Sequence, residues 1–241
     1  MNKERRAGHD LLFKTRVINS GFSKKPLLWF GAAGYLVLMT LWLSQLIWPL
    51  PVRAYYIPAG SMEDTLRVND RLIADIAVYR FREPKNGEIV VFKAPQAALT
   101  NQKIPGDVDF IKRVIGTPGQ TVEIKKGKLF VNGKAVTEPY AKWDAPYFYD
   151  LKIVAGKVYS REYSGPNEAG LWLRNSMPES NEKQDAISQS KSGVVPPGNY
   201  LMLGDYRSNS NDSHVWGFAT RSAIEARALY VFWPLSHQKS L

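Results

Sequence analysis

The segment FIKRVIGTPG, residues 110–119, indicates most directly which fold this chain adopts. Its first six residues are typical of a short β-strand, and the Gly-Thr-Pro-Gly sequence that follows indicates a turn. Strand alternation puts Lys112 on the same face as Phe110 and Val114. If those two apolar side chains point into the core, the lysine does as well. The segment therefore predicts a strand that buries an amine.

Similar short strands are predicted on both sides of this segment. They cover residues 71–76, 88–92, 109–115, 121–125, 128–136, 200–203 and 228–233. Asn132-Gly133 is typical of a tight hairpin, because both central residues of such a turn take positive φ. No window in residues 54–139 repeats with the period of a helix. The expected fold class is mostly β, with a core formed by residues 53–139 and 196–241.

The composition changes in residues 140–195, which are rich in Tyr, Ser, Asn and Lys with scattered prolines. This region is predicted to be an inserted, less regular subdomain with weak strands. Within it, residues 178–192 are polar enough to be disordered.

An uncharged stretch of 27 residues, 26–52, precedes the strand-rich part. Its apolar block, residues 27–48, is long enough for a helix of about 33 Å that crosses a bilayer. Seven basic and two acidic residues lie within the first 25. The positive-inside rule therefore places residues 1–25 in the cytoplasm and everything after Arg53 on the outer, periplasmic face of the plasma membrane. The prediction is a single-pass transmembrane anchor.

Two other interpretations of the N-terminal region are open. Val52-Arg53-Ala54 has the small residues of an export-signal cleavage site, but the apolar block exceeds the roughly 7–15 residues of a signal core. The basic residues could contact nucleic acid, yet a basic segment directly before an apolar stretch is typical of a topology signal, so no nucleic-acid partner is expected. The chain has no cysteine, which excludes disulfides, thiol catalysis and cysteine-bound metals.

Three segments carry chemistry that folding needs explain poorly: residues 57–62 (IPAGSM), 110–119, and 204–214 (GDYRSNSNDSH). In the first, Pro58 restricts the backbone and Gly60 frees it, so that a sharp turn can present the Ser61 hydroxyl. An ordinary turn has the same composition. The third segment follows an apolar strand, where sites are often built, although most such loops are only solvated.

A buried Lys112 would make this combination chemically useful. Desolvation disfavours the ammonium, and a pKa near 8 instead of about 10.4 corresponds to about 3 kcal/mol. A neutral amine beside the Ser61 hydroxyl is a competent general base, as in Ser-Lys hydrolases. The alternative is that Lys112 reaches solvent from the edge of its strand.

Residues 57–62, 87–92, 110–119 and 204–213 resemble, in order, the successive boxes of the bacterial type I signal peptidases, or leader peptidases. The resemblance is weakest in residues 140–195. It implies a mostly β, signal-peptidase-like fold and a membrane-anchored serine endopeptidase that removes signal peptides from exported preproteins after small residues, at Ala-X-Ala sites. It implies no metal and no other cofactor. The partners that it implies are preprotein signal peptides, the lipid bilayer and the export translocon.

The resemblance also assigns roles by position. Ser61 resembles the nucleophile, Lys112 the general base and Ser210 the hydroxyl that orients the amine. The implied supporting residues are Arg113, Asp205 and Asp212, and those implied around the specificity pockets are Ile57, Pro58, Met62, Leu66, Phe110 and Ile111.

Three positions depart from the family pattern. Ala59 replaces a serine that helps to bind the oxyanion in some relatives, which leaves the Ser61 amide with water or an unassigned donor. Tyr206 stands where asparagine is common. His214 stands where arginine is common, so the partner of Asp212 is open.

Three rival functions remain possible for the same residues. A histidine-dependent serine protease would have to use His9, His214 or His237. An inactive relative would be a membrane-tethered binding protein. A narrow-purpose processing enzyme would serve one secretion, pilus or conjugation system.

Overall fold

The computed structural model describes residues 25–47, 51–102, 106–165, 168–175 and 177–241. The chain divides into two compact units, Met1–Leu50 and Pro51–Leu241. In the first unit, helix α1 (Lys25–Ile47) overlaps the predicted anchor, with side chains described at residues 32–43. Residues 1–24, which make up nearly all of the predicted cytoplasmic segment, lie outside the described residues, and so do residues 48–50. Within the described part of the chain, no helix has the length and apolar character of a membrane span.

The second unit is built mainly from short strands. Its helices are α2 (Gln96–Gln102), α3 (Asn181–Gln189) and α4 (Ser213–Trp216). Its strands are β1 (Val52–Tyr56), β2 (Arg71–Asp75), β3 (Ile89–Lys93), β4 (Asp109–Gly116), β5 (Val122–Lys125), β6 (Lys128–Val131), β7 (Lys134–Ala135), β8 (Tyr149–Val154), β9 (Lys157–Gly165), β10 (Glu168–Ala169), β11 (Leu173–Arg174), β12 (Met177–Pro178), β13 (Asn199–Leu203), β14 (Ala219–Thr220), β15 (Ile224–Trp233) and β16 (Lys239–Ser240). The mostly β fold class is confirmed.

The first antiparallel sheet has the strand order β1-β2-β15-β3-β4-β13-β14, with β16 added to β15. It contains the strands predicted around residues 71, 89, 109, 200 and 228. Strand β15 begins at Ile224, four residues earlier than predicted, because Ile224 pairs with Phe92 of β3. Pairing with a distant strand, and not local pattern, sets that boundary.

The second antiparallel sheet has the order β12-β11-β9-β8-β5-β6-β7, with β10 added to β9. The predicted hairpin joins β6 to β7, and Asn132 and Gly133 have positive φ values of 50° and 75°. Residues 140–195 supply β8 and β9, which pair over six residues, and β8 also pairs with β5. The strands of this region are therefore longer and more regular than predicted.

The prediction of disorder in residues 178–192 is wrong, because α3 occupies most of this segment. Ile187 of α3 packs against Trp172 in a small apolar cluster. At the end of the helix, the buried Lys152 Nζ donates hydrogen bonds to three backbone carbonyls, including that of Ile187. Carbonyls at a helix end have no intrahelical donor, so this lysine satisfies groups that would otherwise need water.

Strand β3 shows how the first sheet is buried on both faces. Ile89 and Val91 belong to one hydrophobic cluster, whereas Val90 and Phe92 belong to another. A third cluster contains residues from both sheets, namely Ile115, Leu201 and Leu203 from the first and Val122, Ile124, Leu129, Tyr149, Leu151, Ile153 and Val158 from the second. Two-sided packing fixes the centre of the first sheet, where β4 lies.

Strand β4 is paired differently along its two halves. Residues 109–113 pair with β3 on one side. On the other side, β13 pairs with Arg113, Val114 and Gly116. Among the described residues, the outer edge of residues 109–112 therefore has no neighbouring strand, and such an edge can accept an extended peptide.

A buried ion pair connects the loop after β13 to the segment after β7. Arg207, which is 1% exposed, donates from Nη1 to Glu138 Oε2 at 2.9 Å and from Nε to the Gly204 carbonyl at 3.0 Å. Removing one member of such a pair leaves an uncompensated buried charge.

We expect Glu138→Ala to lower the free energy of unfolding by about 3–5 kcal/mol, because Arg207 would stay buried without its partner. Urea denaturation of the full chain in detergent, with unfolding monitored by tryptophan fluorescence, measures the change in the free energy of unfolding. Glu123→Ala is the control, since it removes a partner of the exposed Lys125 and should cost less than about 1 kcal/mol. Equal losses in the two variants would contradict the importance of the buried pair.

Candidate active site

Ser61 lies in a turn that is held by buried side chains on both sides. Ile57 is 2% exposed and Met62 is fully buried. The Glu63 amide donates to the Gly60 carbonyl at 3.0 Å, and the amide of Tyr206 donates to the Ser61 carbonyl at 3.2 Å. The turn therefore presents the Ser61 hydroxyl from a fixed backbone.

Lys112 extends from β4 to this turn. Its Nζ donates to Ser61 Oγ at 2.6 Å and to the Ile111 carbonyl at 3.2 Å. Nζ also lies 5.4 Å from the centre of the Phe110 ring, and the residue is 4% exposed. The burial predicted from strand alternation is confirmed, and the alternative in which Lys112 reaches solvent is wrong.

Burial lowers the pKa of Lys112 to about 8. The carboxylates of Asp212 and Asp205 act in the opposite direction, because they favour the ammonium, but desolvation is the larger effect. A neutral amine at this position can accept the proton of the Ser61 hydroxyl.

Arg113 and Asp205 form the predicted ion pair. Arg113 Nε donates to Asp205 Oδ1 at 2.8 Å, and Nη2 donates to Oδ2 at 2.5 Å. Thr65 Oγ1 also donates to Asp205 Oδ2, at 2.5 Å. The guanidinium carbon lies 3.8 Å from the centre of the Tyr140 ring. These contacts join β4, the segment after Ser61 and the loop after β13.

His214 is the partner of Asp212 that the sequence left open. Its Nδ1 lies 2.7 Å from Asp212 Oδ1, and the Gly204 amide donates to Asp212 Oδ2 at 2.9 Å. Burial acts to raise the pKa of Asp212, but the His214 ring and the Gly204 amide hold it below its usual value. The His214 ring stacks on Tyr149 with 4.5 Å between ring centres, so the second sheet supports this pair.

Gly204 is the glycine on which the geometry of the site depends. A methyl group there would lie 2.6 Å from Ser210 Cβ and would also collide with Ser210 Oγ and the Ser61 carbonyl oxygen. Gly60 is different, because it does not have positive φ and a Cβ there would lie 3.5 Å from the nearest side-chain atom of Glu63. The expectation that the turn needs the freedom of Gly60 is therefore wrong.

Ser210 and the Ser61 carbonyl both lie against the side of Gly204 that a Cβ would occupy. Ser210 Oγ is shielded from solvent and interacts with the Asp212 carboxylate, whose pKa it helps to lower. The Lys112 amine donates instead to Ser61 Oγ and to the Ile111 carbonyl, so the orienting contact that the resemblance implied for Ser210 is not formed in this structure.

A cleft of about 350 Å³ opens beside Ser61 and Lys112. One wall consists of residues 57–61, and the other consists of residues 108–112, which include the unpaired edge of β4. The predicted pocket residues that line this cleft are Ile57, Pro58, Phe110 and Ile111. Met62 and Leu66 are 0% exposed, belong to the core and do not line the cleft.

The two described histidine candidates have other partners. His214 is paired with Asp212, and His237 Nδ1 lies 2.8 Å from Asp70 Oδ2. His9 lies outside the described residues. Lys112 is the side chain that contacts the Ser61 hydroxyl in the described part of the chain.

Sequence reasoning missed Glu138, Thr65 and Asn211 and gave no role to Arg207. Arg207 lies two residues after Asp205 in the same polar loop, which is a weak signal. Glu138 and Thr65 carry no signal of their own, because their roles come from contacts across 69 and 140 residues of sequence. Asn211 follows Ser210 in the loop and lines the cleft, and its sequence position alone carries no signal that distinguishes it from the other polar residues of the loop.

A family model described as "Signal peptidase, peptidase S26" matches residues 30–233 of this chain. The chain belongs to the signal peptidase family. This is a family of serine endopeptidases, which agrees with the resemblance drawn from the four sequence boxes.

Individual members of the signal peptidase family are also similar to the chain. A probable signal peptidase I-2 of Synechocystis is 40% identical over 182 residues, which are 76% of this chain and 63% of that protein. A signal peptidase I of Aquifex aeolicus is 34% identical over 220 residues, 82% of this chain and 80% of that protein. A crystal structure of a signal peptidase I from Enterococcus faecalis aligns with 61% of this chain and 97% of its own, at 22% identity and a TM-score of 0.36.

Ala59 and Tyr206, two of the positions that depart from the signal peptidase pattern, lie at or near the site. Ala59 lines the cleft and offers no side-chain donor. Tyr206 donates from its hydroxyl to Asp144 Oδ2 at 2.5 Å and lies under Lys142 Nζ at 4.4 Å, so it connects the loop to the segment before β8.

Lys112 should make the stability of the fold depend on pH. The folded pKa is about 8 and the usual value is 10.5, so the unfolded chain binds more protons between them and stability rises with pH across that window. Lys112→Met lacks this titration. We expect its advantage in unfolding free energy over the wild type to shrink by about 3 kcal/mol between about pH 7 and about pH 11.

Urea denaturation of both proteins across this pH range measures the difference. Lys157→Met, which replaces an exposed lysine, controls for the loss of a positive charge. A constant difference between Lys112→Met and the wild type would show that the amine is not desolvated.

Proposed function

We propose that this chain removes N-terminal signal peptides from exported preproteins, with Ser61 as nucleophile and Lys112 as general base. The observation that carries the proposal is the 2.6 Å contact between Lys112 Nζ and Ser61 Oγ in a site where the lysine is 4% exposed. A neutral amine and a hydroxyl at this separation form the minimal apparatus for acyl transfer.

The reaction has two stages. Neutral Lys112 accepts the Ser61 proton as Oγ attacks the scissile carbonyl carbon, and the ammonium returns that proton to the leaving amine as the peptide C–N bond breaks. The signal peptide is then held as an ester on Ser61. In the second stage Lys112 accepts a proton from water as the water oxygen attacks the ester carbonyl carbon. The ammonium then gives this proton to Ser61 Oγ as the ester C–O bond breaks, which releases the signal peptide with a free carboxyl terminus and restores the Ser61 hydroxyl and the neutral amine.

The developing oxyanion needs hydrogen-bond donors. The Ser61 amide donates to no group in the described part of the chain, so it is free to bind the substrate oxygen. Ser210 remains our proposed positioning residue for the amine, because its buried hydroxyl lies beside Gly204 and the Ser61 carbonyl and interacts with Asp212, whose charge acts on Lys112. Arg113, Asp205 and Asp212 hold the surrounding backbone.

The substrate fits the cleft as an extended segment. The edge of β4 at residues 109–112 has no strand neighbour among the described residues, and residues 57–60 face it across the cleft. Apolar side chains of Ile57, Phe110 and Ile111 line this space. Walls of this kind favour small apolar side chains before the scissile bond, as in Ala-X-Ala sites.

We further propose that residues 26–52 anchor the chain in the plasma membrane, with residues 1–25 cytoplasmic and the catalytic unit on the periplasmic face. The absence of charge in residues 26–52 and the basic residues before them support this orientation. Twelve residues separate Trp48 from Ser61, which favours a substrate whose cleavage site emerges near the bilayer, beside the export translocon.

Variants of Ser61 and Lys112 test the proposal directly. Ser61→Ala and Lys112→Ala should each lower kcat by about 10⁴-fold or more, because each removes a group that takes part in bond making or proton transfer. The measurement is mass spectrometry of the products after incubation with a preprotein whose signal ends in Ala-X-Ala.

Ser222→Ala and Lys157→Ala, at exposed positions, are the matched controls and should cleave like the wild type. Cleavage by Lys112→Ala at neutral pH would exclude Lys112 as the base. A wild-type protein that binds the preprotein without cutting it would favour the inactive binding relative, and cleavage restricted to one pilin-like or conjugation substrate would favour the narrow-purpose enzyme.

The pH dependence identifies the base. Because the deprotonated amine is the reactive form, kcat/KM should rise with pH, reach half its maximum near pH 8, the pKa of Lys112, and level off about one pH unit above that value. Initial rates at low substrate concentration across this range measure the profile. Half-maximal activity near about pH 6.5 would instead indicate a histidine.

A further inference from the structure

The Asn211 side chain is the unexplained polar group of the cleft. Asn211 lines the same cleft as Ser61 and Lys112. Both its Nδ2 and its Oδ1 are shielded from solvent, and neither has a hydrogen-bond partner among the described residues. The carboxamide therefore leaves both its donor and its acceptor capacity unused.

Such a group destabilises a fold, because it has lost its hydrogen bonds to water and gained none in return. An apolar residue of similar size would suit the same position better. Asn199, in contrast, donates from Nδ2 to the Pro197 carbonyl at 3.0 Å. Tyr55, Tyr149, Ser210 and Trp216 each have one shielded polar atom of this kind, but none of these four residues lines the cleft. Asn211 has two such atoms and does line it, which suggests that they bind a group from outside the folded chain.

The chemistry of the carboxamide points to a peptide backbone. One residue of an extended chain offers one N–H and one C=O, and a carboxamide offers the complementary acceptor and donor. Turning the Asn211 side chain toward the cleft breaks no hydrogen bond, since it makes none with the described residues. An extended substrate in the cleft would therefore satisfy both atoms at once.

We propose that Asn211 is a substrate-positioning residue that forms a pair of hydrogen bonds with one backbone unit of the bound preprotein. The pair sets the register of the peptide relative to Ser61, and it acts in addition to the apolar pockets that select side chains. This inference rests on the proposed signal-peptide cleavage.

The test uses Asn211→Ala and Asn211→Leu in the full-length protein in detergent. Each should raise KM for an Ala-X-Ala preprotein about tenfold, equivalent to about 1.4 kcal/mol, with little change in kcat. In a Ser61→Ala background, the Kd of a fluorescent signal peptide should weaken by the same factor. The melting temperature of Asn211→Leu should equal or exceed that of the wild type.

Asn199→Ala is the matched control, since it removes an asparagine that already has a partner, and it should leave KM and Kd unchanged. A fall in kcat with unchanged KM would overturn the inference and make Asn211 an oxyanion donor. A lower melting temperature with unchanged KM and Kd would also overturn it and assign a structural role. If the wild type cleaves no preprotein, the proposed function fails, whereas normal cleavage with unaltered KM in both variants rejects only the role of Asn211.

Discussion

The contact between the buried Lys112 amine and the Ser61 hydroxyl is the constraint on which the rest of the site depends. A lysine with 4% exposure is unfavourable as an ammonium, and the same desolvation that costs stability brings its pKa to about 8. The amine must also stay within hydrogen-bond distance of Ser61, which is 51 residues away in sequence. Both requirements are met because β4 lies inside a sheet that is packed on both faces, while Ser61 sits in a turn between buried residues.

The charges around Lys112 are arranged so that no carboxylate is left to pair with it. Asp205 accepts hydrogen bonds from Arg113 and Thr65, and Asp212 accepts from the Gly204 amide and faces the His214 ring. A carboxylate bonded directly to the amine would favour the ammonium and raise its pKa. By satisfying each acid elsewhere, the fold keeps desolvation as the larger effect on the lysine, and the same pairs hold the loop after β13 in place.

The second sheet contributes to the site although it supplies neither Ser61 nor Lys112. Tyr149 supports His214, and the segment between β7 and β8 supplies Glu138 and Asp144, which bind Arg207 and Tyr206 of the loop. In this chain the loop after β13 is therefore held in part by Tyr149 of the second sheet and by the segment between β7 and β8. His214 stands beside Asp212 where the family pattern has arginine, and its ring stacks on Tyr149.

Local patterns in the sequence were enough to predict the mostly β class and the hairpin at Asn132-Gly133, because strand-like runs and turn chemistry are local properties of the chain. Strand alternation predicted the burial of Lys112 only on the condition that Phe110 and Val114 point into the core. The pairing of Lys112 with Ser61, and that of Arg113 with Asp205, followed from the resemblance of four ordered boxes to the family. Three further features became visible only in the folded chain: Gly204 and not Gly60 is sterically required, residues 181–189 form a helix capped by Lys152, and Met62 and Leu66 belong to the core instead of the cleft. These features depend on contacts between residues that are far apart in sequence. Local sequence patterns do not specify such contacts.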